Sequence, residues 1–93
     1  MEKIELKFFL LEMCPYCIKA NKYLDELLQD KKYAGIEIRK IDERKERQIA
    51  NAHNYYLVPT FYLNDQKLYE GIMSKEDVRA VLDQALSLQS KKQ

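Results

Sequence analysis

Hydrophobic and polar residues alternate from the N-terminus, with Ile4, Leu6, Phe8 and Leu10 on one face, and from Phe8 to Leu11 both faces become apolar. That pattern predicts a strand over Ile4–Glu12, covered on both sides at the centre of a sheet. From Pro15 to about Asp30, Cys17, Ala20, Leu24, Leu27 and Leu28 recur at helical spacing. Lys19, Lys22, Asp25, Glu26 and Gln29 take the opposite face, and Pro15 suits a first helical position, so an amphipathic helix is expected. Gly35 interrupts the pattern, and Ile36, Ile38 and Ile41 predict a short second strand. Asp42 is then expected to cap a charged helix running to about Asn54, with Ile49 and Ala52 facing inward.

The second half reads differently. Val58–Leu63 is rich in strand formers, Asn64-Asp65 suits a two-residue turn, and Gln66–Glu70 returns, so a β-hairpin is predicted. Ser74-Lys75-Glu76-Asp77 resembles a capping box with Asp in place of Glu. It precedes Val78, Val81, Leu82, Ala85 and Leu86, one buried stripe of a final helix that is expected to fray at about 89–93. The order βαβ then ββα predicts an α/β sheet with helices on both faces and a right-handed crossover.

At 93 residues the chain has room for one domain, 1–93, and one core, which excludes a separate cofactor-binding half. Sixteen Lys and Arg against fifteen Asp and Glu leave a net charge of +1, which excludes nucleic-acid binding through a basic field. The longest apolar run near the N-terminus, Phe8–Leu11, is too short for a signal peptide or a membrane span, so a cytoplasmic, monomeric protein is expected. Two cysteines cannot form the disulfide framework of a small secreted domain, and the pair calls for a chemical explanation.

Cys14-Pro15-Tyr16-Cys17 falls where the first strand gives way to the first helix. A thiolate there faces unpaired backbone N–H groups and the positive end of the helix dipole, so Cys14 is the expected nucleophile. Cys17, one turn on and facing the core, is the expected resolving thiol. Acidity alone explains little: a fall in pKa from about 8.5 to about 6.5 raises the thiolate fraction at pH 7 roughly 25-fold but costs roughly 8-fold in nucleophilicity. Leaving-group quality and intramolecular geometry carry the rest. Lys19 and Lys22 add positive potential or simply form the solvated helix face, while Glu12 opposes them. Val58-Pro59-Thr60 opens the third strand, where a proline fits an edge, a trans strand start or a cis turn. In the cis reading the Val58 backbone is free to pair with an extended substrate near Cys14. Met13, Tyr16, Leu57 and Ile72, with Tyr55 and Tyr56, are candidates for an apolar rim around Cys14; Tyr55 and Tyr56 alternatively close the second helix against the core. His53 reads as a partly exposed helix residue, and Asp42–Arg47 as a solvated face.

With CPYC so placed, and Val-Pro-Thr 45 residues after Cys14 entering a hairpin and a last helix, the chain resembles the glutaredoxin branch of the thioredoxin superfamily over essentially its whole length. The resemblance implies a thioredoxin/glutaredoxin-like fold, a four-stranded mixed sheet flanked by three helices. It also implies thiol–disulfide exchange with Cys14 attacking and Cys17 resolving, and a cis Pro59. Pro15, Tyr16 and Lys19 would then support the thiolate, and Tyr16, Val58, Pro59, Thr60, Gly71 and Ile72 would line the substrate site. No bound cofactor or metal is implied, and glutathione is a candidate reducing co-substrate. The partners would be disulfide-containing proteins or small thiols and a reductase, without nucleic acid or membrane.

Two departures bear on that resemblance. Where glutathione-using relatives carry a Lys and a Gly-Gly-Asp clamp, this chain has Leu11 and Glu70-Gly71-Ile72-Met73-Ser74, nearer to redoxins reduced by thioredoxin reductase. Where thioredoxins carry a buried Asp it has Phe8, so no acid is available there for the Cys17 proton. The alternative reading is a metal or iron–sulfur carrier that uses the two thiolates and draws its other ligands from outside.

Overall fold

The computed structural model describes residues 4–90. Its elements are β1 (Ile4–Leu10), α1 (Pro15–Leu27), a single 3₁₀ turn (Lys31–Tyr33), β2 (Ile36–Asp42), α2 (Arg47–Asn51), β3 (Thr60–Leu63), β4 (Gln66–Glu70) and α3 (Lys75–Ser90). They form a four-stranded mixed sheet in the order β2-β1-β3-β4. β1 pairs in parallel with β2, from Ile4↔Ile36 to Leu10↔Asp42, and antiparallel with β3, from Leu6↔Leu63 to Phe9↔Thr60.

β1 is thus an interior strand, which is why Phe8 and Phe9, pointing to opposite faces, are both fully buried. On the Phe8 side, Leu6, Phe61 and Leu63 meet the stripes of α1 (Ala20, Leu24, Leu27) and α3 (Val78, Val81, Leu82, Ala85). The Phe8 and Phe61 rings stack with centroids 4.6 Å apart. On the Phe9 side, Ile41, Tyr62 and Ala50 of α2 form a smaller core. The β3–β4 turn places Asn64 at φ 55°, a left-handed position that Asn tolerates, and a bulge lies between Phe61 and Tyr62. The capping box forms as expected: the Asp77 amide donates to Ser74 Oγ at 3.1 Å, and the Ser74 amide donates to Asp77 Oδ2 at 2.9 Å.

The boundaries differ from expectation mainly around α2. Asp42 ends β2 rather than capping a helix: its Oδ1 accepts from the Arg44 amide at 2.8 Å and its carbonyl takes the Lys45 and Glu46 amides, so the chain turns before α2 begins at Arg47. Ala50 rather than Ala52 faces inward, and Ala52 is exposed. β1 stops at Leu10, and α1 at Leu27. Beyond α1, Asp30 Oδ1 takes the Lys32 amide and starts a turn that buries Tyr33, whose hydroxyl donates to Asp83 Oδ1 at 2.7 Å. α3 runs to Ser90, and residues 91–93 of the expected frayed tail lie outside the described residues.

Candidate active site

All the loops that matter leave the same end of the sheet, because the register sets the β1 end at Leu10 beside Asp42 of β2, and Phe9 opposite Thr60, which in turn faces Glu70. The turn after β1 closes when the Cys14 amide donates to Leu11 O at 3.1 Å. Cys14 is then the extended N-cap residue of α1 (φ −77°, ψ 121°), Pro15 follows inside the first turn, and the Ile18 amide donates to Cys14 O at 3.0 Å. No side chain caps this helix, so its first N–H groups are left for the thiol.

Both cysteines are free; Cys14 is partly exposed and Cys17 only 1% exposed. Slight burial pushes the Cys14 thiol up, but the Cys17 amide, the Cys17 thiol and the Tyr16 amide together outweigh it and hold Cys14 below the usual thiol value. Burial first, then the hydrogen bond and charge of Cys14 and the charge of Glu43, push Cys17 up to about 12, against the Leu11 amide, which donates to Cys17 Sγ at 3.4 Å. Cys14 is therefore the readier of the two to ionise, and Cys17 stands beside it as a hydrogen-bond donor. The support for Cys14 comes from donors within the motif, while Lys19 stands on the exposed face of α1.

The Val58–Pro59 bond is cis. Val58 is half-buried, Pro59 and Thr60 are buried, and Thr60 Oγ1 donates to Leu57 O at 2.5 Å. Gly71 meets this loop directly: its amide donates to Pro59 O at 2.8 Å, and at φ 102° it adopts a conformation that side-chain-bearing residues avoid. Glu70 fastens the same loop, accepting from the Tyr56 amide and, at 2.8 Å, from the Leu57 amide, with Lys67 Nζ 2.7 Å from its other oxygen. These donors hold the Glu70 carboxyl down to about 2.

Around this edge Met13, Tyr16, Tyr56, Leu57 and Ile72 are all exposed apolar side chains. Tyr55 is not one of them: its ring packs on Phe9 at 4.9 Å and its hydroxyl donates to Glu43 Oε1 at 2.8 Å. Tyr56, 89% exposed, does not close α2. His53 lies just past α2, between the Phe9 and Tyr62 rings, with Nδ1 2.8 Å from Ile49 O and Nε2 3.1 Å from Lys7 Nζ. An open cavity of about 320 Å³ separates Leu11–Cys14 from Asp42, Arg44 and Lys45. Among the described residues no three His, Cys, Asp or Glu side chains are grouped to hold a metal ion, and no helix is long and apolar enough to cross a membrane.

A sequence profile of the thioredoxin domain matches residues 3–83. The chain belongs to the thioredoxin-domain family. A thioredoxin of Methanocaldococcus jannaschii is 28% identical over 76 residues, 82% of this chain and 88% of that protein. The solved thioredoxin of Malassezia sympodialis superposes with a TM-score of 0.73 at 20% identity, over 90% of this chain and 76% of that one. The oxidised thioredoxin of Plasmodium falciparum does so with 0.72 at 17%, over 89% and 81%. This thioredoxin domain thus carries a CxxC pair at the start of its first helix and a cis Val58–Pro59 bond before its third strand.

Glu43 and Glu70 are two residues around the site that the sequence reading did not single out: Glu43, placed there in a solvated run, is half-buried and adds a charge that raises the Cys17 thiol, and Glu70 fastens the proline loop.

Proposed function

We propose that this thioredoxin domain is a dithiol oxidoreductase that reduces disulfides of proteins and small molecules. The observation that supports it is the division of labour at the α1 N-terminus, a partly exposed Cys14 held as the better anion beside a buried, protonated Cys17. Cys14 thiolate attacks one sulfur of a substrate disulfide; a Cys14 mixed disulfide forms and the first product leaves as a thiolate. Cys17, deprotonated, attacks Cys14 Sγ, breaks the mixed disulfide and releases the second thiol. Two electrons pass from the dithiol to the substrate, and a separate reductant reopens the Cys14–Cys17 bond, with no bound metal or nucleotide. The reducing cytoplasm is the compartment this cycle suits.

Thioredoxin reductase suits the reductant's role better than glutathione. Leu11 offers no cation for a glutathione carboxylate, and of the acids around the missing clamp Glu70 is held by Lys67 and the 56–57 amides while Asp77 receives the Ser74 amide and the Tyr69 hydroxyl. The exposed Met13, Tyr16, Leu57 and Ile72 favour a protein surface as substrate or reductase.

NADPH-coupled disulfide reduction, run in parallel with glutathione plus its reductase and with thioredoxin reductase alone, tests this. Turnover with the flavoprotein and little with glutathione is expected; the reverse makes the protein a working glutaredoxin. Cys14→Ser should abolish turnover and Cys17→Ser should accumulate mixed disulfides on Cys14. Retained activity in Cys14→Ser would sink the reading.

A further inference from the structure

The loop at Tyr56 and Leu57 is held by polar ties rather than by burial, since these side chains are 89% and 59% exposed and contribute little packing. Glu70 reaches it from the end of β4. Its Oε2 accepts from both the Tyr56 and the Leu57 amides, the latter at 2.8 Å, while its Oε1 meets Lys67 Nζ at 2.7 Å. The Gly71 amide donates to Pro59 O at 2.8 Å, and Thr60 Oγ1 donates to Leu57 O. Between these ties the backbone of Val58 is left over: among the described residues neither its N–H nor its C=O has a partner. A free donor and a free acceptor on one residue are what a neighbouring extended strand pairs with.

This edge lies on the side of the sheet end where the sulfurs are. Phe9 faces Thr60, so Leu10 and Pro59 are the next residues out of β1 and β3. The Leu10–Leu11 peptide turns its C=O to the β2 side, where it takes the Glu43 amide at 3.1 Å. Its N–H, on the opposite side of a trans peptide, points to the β3 side and meets Cys17 Sγ at 3.4 Å. The thiol pair therefore sits on the flank of β1 where the Val58 loop runs.

We propose that Glu70 is a positioning residue for peptide disulfides: its carboxylate clamps residues 56–57 so that the unpaired Val58 N–H and C=O stand ready for the backbone of an extended segment that carries the disulfide. The proposal rests on the dithiol reading above. The substrate class favoured is a cystine within a peptide or protein chain, because a small disulfide without amide groups cannot use the edge. Glu70 itself touches neither substrate nor sulfur. It lowers the entropic cost of docking, since a loop already ordered loses no backbone freedom when the peptide binds, and ordering even one residue at that moment weakens binding about tenfold. A carboxylate suits the task because one oxygen can accept two amides at once. Ala at this position offers no acceptor, whereas Gln keeps an oxygen for the amides and loses the ion pair with Lys67.

A short peptide whose single cysteine is held as a mixed disulfide with thionitrobenzoate separates docking from chemistry. Release of the coloured thiolate on mixing with reduced protein, followed against peptide concentration, gives a half-saturating concentration and a limiting rate. In Glu70→Ala the half-saturating concentration should rise about tenfold, while the limiting rate and the rate with dithiobis(nitrobenzoate), which has no amide backbone, stay within about twofold of wild type. Glu70→Gln should recover most of the peptide binding, and Lys67→Ala, which keeps both amide bonds, should cost less than Glu70→Ala. Glu70→Met, of similar length but without an acceptor, serves the same comparison if the Ala variant does not fold. N-methylation of the peptide amides flanking the cysteine, one at a time, should find one whose loss raises half-saturation about fivefold in wild type but less than about twofold in Glu70→Ala. Peptide half-saturation unchanged in Glu70→Ala, or an N-methyl penalty equal in both proteins, overturns the proposal. So does an equal loss of rate with the peptide and with dithiobis(nitrobenzoate), the mark of a merely structural role. Wild-type protein that releases no thiolate from either probe would instead overturn the dithiol reading itself.

Discussion

Cys14 and Cys17 share one helix turn yet their acidities move in opposite directions, because one thiol stands at the open N-terminus and the other beneath it. The Cys17 S–H is one of the donors that hold Cys14 low. The pH at which Cys14 alkylation is half-maximal should therefore lie below that of an ordinary thiol and rise in Cys17→Ala; iodoacetamide rates across pH read this directly. The motif and its orientation were legible in the sequence, since CPYC begins where strand alternation yields to helical spacing. Glu43 was not, because its link to Cys17 runs through the Leu10–Leu11 peptide and depends on β1–β2 pairing. Tyr55 follows its core reading and Tyr56 its rim reading, a choice only the fold makes, by laying the Tyr55 ring on Phe9 and its hydroxyl on Glu43.

Long, strongly patterned elements came through the sequence reading well, and short charged ones did not. α3 carries its stripe over 16 residues behind a reciprocal cap, so neither its face nor its start was ambiguous. Leu82 lies fully buried at the centre of that stripe. Leu82→Ala should cost about 2–5 kcal/mol, seen as a lower urea midpoint at unchanged slope, with the Cys14 alkylation midpoint unmoved in the folded protein. α2 shrank to five residues because Asp42 was free to hydrogen-bond the backbone two residues on, and a turn outcompeted helix initiation. With only Ile49 and Ala50 to bury, the segment offered little packing to extend the helix.

Across the molecule, the site is assembled by ties between distant segments. Glu70, at the end of β4, holds the 56–57 amides and so anchors the loop that carries the cis Val58–Pro59 bond. Its carboxyl is held at about 2, below its unfolded value, so the stabilisation it gives is complete above about pH 5 and lost as pH falls toward 2. Glu70→Gln should destabilise the protein at pH 7 by about 1–2 kcal/mol, allowing for solvent screening of a side chain that is 19% exposed. The gap from wild type should close as urea denaturation is repeated between pH 5 and pH 2; a gap independent of pH would contradict this account.

The sequence by itself determined the order of elements, the buried centre strand, the helix bearing the two thiols and the direction in which each is specialised. These rest on local periodicity and on backbone groups within a few residues of each side chain. Which carboxylate holds the Tyr55 hydroxyl, which tyrosine stays exposed, and how Glu70 and Gly71 fix the proline loop were decided only by tertiary structure. Strand register brings together residues more than 10 positions apart in the chain, and no local pattern encodes that distance.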